Sequence, residues 1–125
     1  MTGVVVVLTI LAGGLGAVAR FVVDSLVRAR SATTFPIGTL VINVTGSFVL
    51  GLITGVVLAA AAPDAWRTVV GTGFLGGYTT FSTASFETVR LVEQQRYRAA
   101  AAYGLGTLVT TTGVAAFGVW LGLLA

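Results

Sequence analysis

The stretch that decides the fold is GFLGGYTTFST at residues 73–83, which lies in the middle of an apolar segment. Paired glycines followed by hydroxyl-bearing and β-branched residues weaken helix propensity here. In a bilayer, opened backbone is tolerated only where it is buried in protein or lines a cavity. We therefore predict a transmembrane helix broken near mid-span, with a simple packing kink as the alternative. Carbonyl groups freed at such a break suit a small cation, and the resumed helix offers N–H donors to an anion.

The chain around this stretch has the composition of a membrane protein. Of its 125 residues, 56% are hydrophobic and only 9% are charged, whereas ordinary soluble domains have roughly 25% charged residues. Four apolar stretches are each long enough to cross the ~30 Å hydrocarbon layer as a helix. They cover residues 4–27, 35–62, 68–89 and 99–125. The predicted fold class is all-α, with four transmembrane helices in a single domain over residues 1–125.

The first stretch also has one feature of a cleaved signal peptide. Residues 17–19, Ala-Val-Ala, resemble a small-residue cleavage site. The basic region that opens such peptides is missing, because only Met1, Thr2 and Gly3 precede the apolar run. We therefore expect a retained helix.

Several function classes do not fit the composition. The chain has no cysteine and no histidine, so disulfides, thiol catalysis and the common zinc patterns are excluded. Its seven basic residues are all arginines and form no patch suited to nucleic acid. Without histidine or cysteine, a nucleophile with its base and orienting group is not readily assembled. We predict a protein that is not an enzyme and has no nucleic-acid partner.

The arginines predict the orientation in the membrane. Short connections make sequential helices antiparallel, so the first and third loops share one side. The termini and the middle loop, on the other side, carry only Arg67, beside Asp64. The positive-inside rule then predicts that the termini lie outside. The arginines on the inner side are Arg28, Arg30, Arg90, Arg96 and Arg98.

Two of the apolar stretches carry polar side chains four residues apart, which places them on one helix face. An amide or hydroxyl in hydrocarbon needs partners, so these faces should point into the bundle or towards water. An interhelical hydrogen bond and a donor-lined path both account for Asn43. The two sets are Thr39, Asn43 and Ser47 on the second stretch and Tyr103, Thr107 and Thr111 on the fourth.

Arg20 and the paired glycines each allow two interpretations. Arg20 and Asp24 are four residues apart, so Arg20 either forms a local ion pair or serves an anion vestibule. Glycines spaced four apart let transmembrane helices approach closely. We expect packing for these pairs, with Gly77 set aside because it belongs to the break. The pairs are Gly51 with Gly55, Gly73 with Gly77, and Gly118 with Gly122.

Three motifs in order along the first three helices resemble the Fluc/CrcB fluoride channel family. They are GGLGAVARF at residues 13–21, GTLVINVTGSF at 38–48 and GGYTTFST at 76–83. The resemblance spans most of the chain. It implies a four-helix subunit that pairs antiparallel with another, with two pores along the interface and a structural sodium ion at the centre.

The resemblance also implies roles for individual residues. The carbonyl groups of Gly76 and Thr79 would hold sodium, and Arg20 would lie towards a vestibule. The fluoride path would be bordered by Asn43, Phe81, Ser82, Tyr103, Thr107 and Thr111. The family pattern has a second phenylalanine three residues after the first, where this chain has Ala84. The partner is therefore either a second copy of this chain or a sister subunit that supplies what this one lacks.

These residue types suit the passive passage of fluoride. Uncharged donors can replace the hydration shell, and the positive edge of an aromatic ring such as Phe81 favours an anion. Full positive charges along the path would hold the ion too tightly. There is no Walker sequence for the use of ATP. We predict a fluoride-exporting channel subunit in the inner membrane, in contact with membrane lipid.

Two alternatives stay open from the sequence. A small four-helix multidrug or cation transporter would need an acidic residue deep in a helix, and Asp24 and Glu87 lie near the ends of their stretches. An accessory subunit that is inactive without a sister subunit would account for Ala84.

Overall fold

The chain is a bundle of helices, one of which is broken. A computed structural model describes residues 2–125. Three continuous helices are long and apolar enough to cross a bilayer: α1 (Gly3–Arg30), α2 (Ile37–Leu58) and α6 (Tyr97–Leu123). The third predicted stretch is divided into α3 (Asp64–Trp66), a π-helical segment (Arg67–Leu75), α4 (Gly76–Tyr78) and, after a break, α5 (Phe81–Glu93). The all-α membrane fold and the broken third helix are thus confirmed.

The break falls at Thr79 and Thr80, where the backbone is extended. Their φ and ψ angles are −81° and 163° at Thr79, and −150° and 124° at Thr80. The Thr80 hydroxyl oxygen accepts a hydrogen bond from the Thr83 N–H at 3.1 Å. Threonine is a favoured residue at this capping position because its side chain satisfies one of the free donors of the first turn. The same residue therefore ends the break and starts α5.

The helices differ from the predicted stretches mainly at the arginine-rich end. There α1 continues to Arg30 and α5 to Glu93, so the connections shorten to residues 31–36 and 94–96. Arginine is a good helix former, and its charge is favourable near a helix C-terminus. By contrast, α2 begins only at Ile37, after Pro36. Hydropathy therefore underestimated the length of a helix wherever arginines extended it beyond the apolar stretch.

Sequential crossings run antiparallel. Asp24 on α1 contacts Gly38 on α2, and Thr39 on α2 bonds to Glu87 on α5. The guanidinium of Arg96 donates to the Thr34 hydroxyl at 3.1 Å, which joins the first and third loops. These loops share one end of the bundle, as predicted from the short connections.

Alternate crossings run parallel and pack through glycine. The most extensive helix pairing is between α2 and α6. A Cβ at Gly51 would collide with the backbone of Ala115, and one at Gly55 would collide with Val119. Gly122 likewise meets the α2 backbone. The prediction that these glycines serve helix packing is confirmed.

The second parallel pair is α1 with the first half of the third crossing. Gly16 lies against the carbonyl of Phe74, and Gly77 lies against the carbonyl of Gly13. Only glycine lets two helix backbones approach this closely. Gly77 thus has a packing function in addition to its place before the break.

Candidate functional site

A groove of about 530 Å³ follows the break and is walled by α2, α5 and α6. Its polar lining consists of hydroxyl and amide side chains. None of the described residues that line it carries a charge. The polar lining residues are Asn43, Ser47, Thr79, Thr80, Ser85, Thr88, Tyr103, Thr107 and Thr111.

The groove brings together five of the six residues to which the sequence assigned a pore role. Members of both polar stripes line it, whereas Thr39 of the α2 stripe lies beyond it and bonds to Glu87. The residues are Asn43, Phe81, Tyr103, Thr107 and Thr111. Ser82 is not among the lining residues; it lies on an exposed face of α5. Their roles in conduction stay predictions.

Asn43 is bonded to the backbone at the break. Its Nδ2 donates to the Thr80 carbonyl at 2.8 Å, and its Oδ1 accepts from the Thr80 N–H at 2.9 Å. Only 8% of Asn43 is exposed. A buried peptide group without partners is costly, so this amide replaces the helix bonds that Thr80 lacks. An amide has two N–H donors, so one remains for another acceptor.

The carbonyl groups of residues 76–79 lose their usual helix donors at the break, those of Gly76 and Thr79 among them. In a continuous helix the Gly76 carbonyl would accept from the Thr80 N–H, which here bonds to Asn43. The Thr79 carbonyl would accept from the Thr83 N–H, which here bonds to the Thr80 hydroxyl. Gly76 is exposed, and a Cβ placed there would meet nothing within 4 Å. Both carbonyl groups therefore keep the capacity to accept a bond from a ligand, and Gly76 lies at the protomer surface.

The α6 wall offers one hydroxyl group with no partner. Thr107 Oγ1 is buried and forms no hydrogen bond within residues 2–125. One turn on, the Thr111 hydroxyl donates to the Thr107 carbonyl at 2.7 Å. Bonding to its own helix satisfies Thr111, whereas the Thr107 hydroxyl stays available to a species in the groove.

Phe81 and Ala84 belong to the apolar part of the groove, together with Val89, Gly104 and Leu108. Phe81 is 87% exposed, although it follows the break directly. Ala84, three residues on, also lines the groove and packs against the small core around Tyr103. A hydroxyl-lined groove open to lipid would leave polar groups unsatisfied, so the open side needs a cover.

Glu87 closes the groove towards the arginine-rich end. The Thr39 hydroxyl donates to its Oε1 at 2.9 Å, and the Tyr103 hydroxyl donates to its Oε2 at 3.0 Å. Thr39 is 3% exposed and Tyr103 is 1% exposed. Phe35 packs edge-on against the Tyr103 ring, with centroids 5.5 Å apart. A carboxylate held by two buried donors thus separates the groove from a second, arginine-lined cavity.

Arg20 lies apart from the groove. Asp24 pairs with Arg28 instead, with Nε and Oδ2 2.9 Å apart. Both partners are possible on a helix, since i−4 and i+4 neighbours are equally near. The expected Arg20–Asp24 ion pair is therefore not formed, and Arg20 is half-buried on α1 without an ion pair among the described residues.

Sequence reasoning did not single out Ser85 or Thr88, and it placed Glu87 only near the end of its stretch. Ser85 and Thr88 line the groove, and Glu87 anchors its end. A helical count from Phe81 would have found the first two, because positions four and seven residues on share its face. No pattern along the chain could have shown that Glu87 is held between Thr39 and Tyr103, because those partners lie on two other helices.

Comparison with known proteins agrees with the motif resemblance. The profile of the family described as "CrcB-like protein, Camphor Resistance (CrcB)" matches residues 7–122. The protein named "Fluoride-specific ion channel FluC 1" of Leifsonia xyli subsp. xyli is 56% identical over 125 residues, covering 100% of this chain and 91% of the relative. "Fluoride-specific ion channel FluC 2" of Cutibacterium acnes is 47% identical over 113 residues, covering 90% and 92%. The chain belongs to the CrcB-like family.

Proposed function

We propose that this chain is a subunit of a passive, fluoride-selective channel in the plasma membrane, and that it is not an enzyme. The observation that carries the proposal is the groove at the helix break, whose lining is rich in donors and free of charged residues. The relatives are named fluoride-specific ion channels. The chain is a multi-pass membrane protein. An anion that leaves a negative-inside cytoplasm through such a channel moves down its electrical gradient.

Hydrogen-bond donors along the groove would replace the water that fluoride loses. The Thr107 hydroxyl and the second N–H of Asn43 are two groove donors that bond to nothing within residues 2–125. Phe81 adds a ring edge with partial positive charge. Because each donor is neutral, the ion can both enter and leave. A negative-inside potential of about 100 mV favours anion exit by ~2.3 kcal/mol per charge.

Fluoride efflux from liposomes tests this function. Vesicles with the purified chain should release fluoride and retain chloride when a potassium ionophore dissipates the voltage. A multidrug or cation transporter built on Glu87 would instead export a cationic dye in exchange for protons. Absence of fluoride release with this chain, and with the chain paired with each available paralogue, would contradict the channel.

A sodium ion at the break forms part of the proposal. The Gly76 and Thr79 carbonyl groups would hold it, since both lack their usual helix donors and hard cations of this kind prefer oxygen ligands. The ion would neutralise carbonyl dipoles that meet at the break. The protein should therefore melt at a higher temperature in sodium than in potassium at equal ionic strength. Equal melting temperatures in the two salts would remove sodium from the proposal.

An antiparallel partner would cover the open side of the groove. Phe81 is largely exposed and Gly76 faces open space, so a second protomer could complete both sites. Ala84 leaves the pairing open between a second copy and a sister subunit with an aromatic residue there. Affinity-tagged and untagged copies of this chain should co-purify if it forms homodimers. Co-purification with a paralogue alone would establish the heterodimer.

The role of Ala84 has its own test. In a homodimer, Ala84→Phe would place a ring three residues from Phe81 on both grooves. If the missing ring limits conduction, this variant increases fluoride release from vesicles that contain only this chain. If the chain is an accessory subunit, vesicles with the variant alone should release no fluoride until a paralogue is added.

A further inference from the structure

A second cavity, of about 480 Å³, lies at the arginine-rich end of the bundle. Its walls are the C-terminal ends of α1 and α5, the N-terminal end of α2 and the two short loops. Three arginines line it: Arg28, Arg90 and Arg96. Glu87 is the one carboxylate among the described lining residues, and its oxygens already accept bonds from Thr39 and Tyr103. The cavity is therefore positive overall.

Two of the arginines are held in place by single hydrogen bonds. Arg28 donates through Nε to Asp24 at 2.9 Å, and Arg96 donates through one terminal nitrogen to Thr34 at 3.1 Å. A guanidinium has five N–H donors in a fixed fork. Each group therefore keeps most of its donors for a ligand. Arg90 forms no ion pair within residues 2–125.

The remaining lining matches a group that is both charged and attached to something apolar. Hydroxyl groups of Ser31, Thr33 and Thr34 lie beside the arginines. Val27, Ile37 and Leu91 form an apolar wall. A planar fork binds phosphate oxygens in pairs, which a single-atom halide cannot exploit. The cavity lies where the long helices end, the depth at which phospholipid headgroups meet the protein.

We propose that this arginine-lined cavity binds a phosphate group, supplied by an anionic phospholipid of the adjacent leaflet. The phosphodiester lies among the guanidinium groups, and the glycerol and first methylene groups lie along the apolar wall. Asp24 acts as a positioning residue, because it orients Arg28 from a place against Gly38. The site does not depend on fluoride conduction.

Native mass spectrometry of the full chain in mild detergent tests the site. The protein should retain phosphatidylglycerol in preference to phosphatidylcholine. Arg90→Gln should lower that retention about fivefold, and Arg90→Gln combined with Arg96→Gln should lower it further, since each interfacial arginine contributes on this scale. Arg67→Gln, at the opposite end of the bundle, is the matched control and should retain the lipid like the unaltered protein.

A second arm distinguishes the sources of phosphate. Inorganic phosphate at millimolar concentration should not displace the lipid. Binding of inorganic phosphate that depends on Arg90, with lipid retention unchanged, would overturn the lipid assignment and give the cavity to a soluble phosphate. Lipid retention that is unaffected by Arg90→Gln in protein of unchanged melting temperature would overturn the proposal. Arg90 is exposed and forms no ion pair within residues 2–125, so this variant should fold even if the Arg96 variant does not.

Discussion

The two halves of the α2–α6 pair differ in how they meet. In the second halves, glycines bring the backbones into direct contact, as at Gly51 against Ala115. In the first halves, side chains of α5 bridge the helices, as Glu87 does between Thr39 and Tyr103. We call the backbone contacts between the second halves the glycine seam. The groove described above lies at the first halves.

The difference shows how a membrane protein can keep an open polar site. Lipid tails are as apolar as the helix surfaces, so close packing of small residues and hydrogen bonds hold helices together. The glycine seam provides that packing without polar side chains. Because it holds α2 and α6, the third crossing can break and leave donors facing the groove.

The largest effect should come from filling the seam. Gly51→Leu forces a side chain into the Ala115 backbone, and backbone contacts of this kind cannot relax. We expect a loss of about 3 kcal/mol in the free energy of unfolding, with little monodisperse protein after size-exclusion chromatography. Gly113→Leu on α6 is the control, because a Cβ there meets nothing within 4 Å. Equal yields of the two variants would refute the seam as the element that holds the bundle.

Removing the amide at the break should come next. Asn43→Leu keeps the volume but leaves the Thr80 N–H and carbonyl without partners, a cost of about 1–3 kcal/mol for each group. We expect a lower melting temperature and a fluoride efflux rate reduced roughly 100-fold. Thr54→Val is the control, because that hydroxyl bonds to the Leu50 carbonyl of its own helix, away from the groove. Unchanged melting of the Asn43 variant would show that the break does not need its amide.

Phe81 should affect conduction without affecting folding. Phe81 is 87% exposed in the protomer, so Phe81→Ala leaves no cavity inside the protomer. We expect fluoride efflux to fall about tenfold through loss of the ring edge. Phe86→Ala, at a ring 67% exposed that does not line the groove, should change efflux by less than about twofold. Similar effects of both variants on fluoride efflux would show that the groove is not part of the conduction path.

The smallest effect should come from Thr107, where stability and fluoride efflux should change in opposite directions. Thr107→Val removes a buried hydroxyl that lacks a partner, so the protein should gain about 1 kcal/mol of stability. Fluoride efflux should fall about threefold, because the groove loses a donor. Thr110→Val, at an exposed position on the same helix, should change neither quantity. Lower stability in the Thr107 variant would mean that its hydroxyl bonds within the folded dimer or to water.

Local patterns were sufficient for the helical fold and for the polar faces. The GGYTTFST motif predicted the break, and intervals of four residues placed Asn43 and Thr107 on faces that do meet at the groove. Both inferences depend only on neighbours along the chain. They did not extend to α5, where Ser85 and Thr88 line the groove, because the phase of a helix after a break depends on where it resumes. The pore role that the family resemblance implies for Ser82 stays a prediction.

The partners that polar side chains bond to could not be predicted from such patterns. Asp24 could bond one turn forward or back, and the structure pairs it with Arg28. Asn43 could bond any interior group, and it bonds the Thr80 backbone. Which partner is chosen depends on helix rotation and depth, which many weak contacts set together.

Composition and periodicity by themselves determined that this chain is a membrane protein, that it crosses the bilayer as helices and that uncharged polar groups lie inside the helix bundle. They could do so because backbone hydrogen bonding in hydrocarbon leaves few options. Only the tertiary structure decided that Asn43 holds the break, that Glu87 ends the groove between two buried donors and that arginines from three segments line one cavity. The Glu87 bond to Thr39 alone joins residues 48 positions apart, and such geometry exists only once glycines have set the distances between helices.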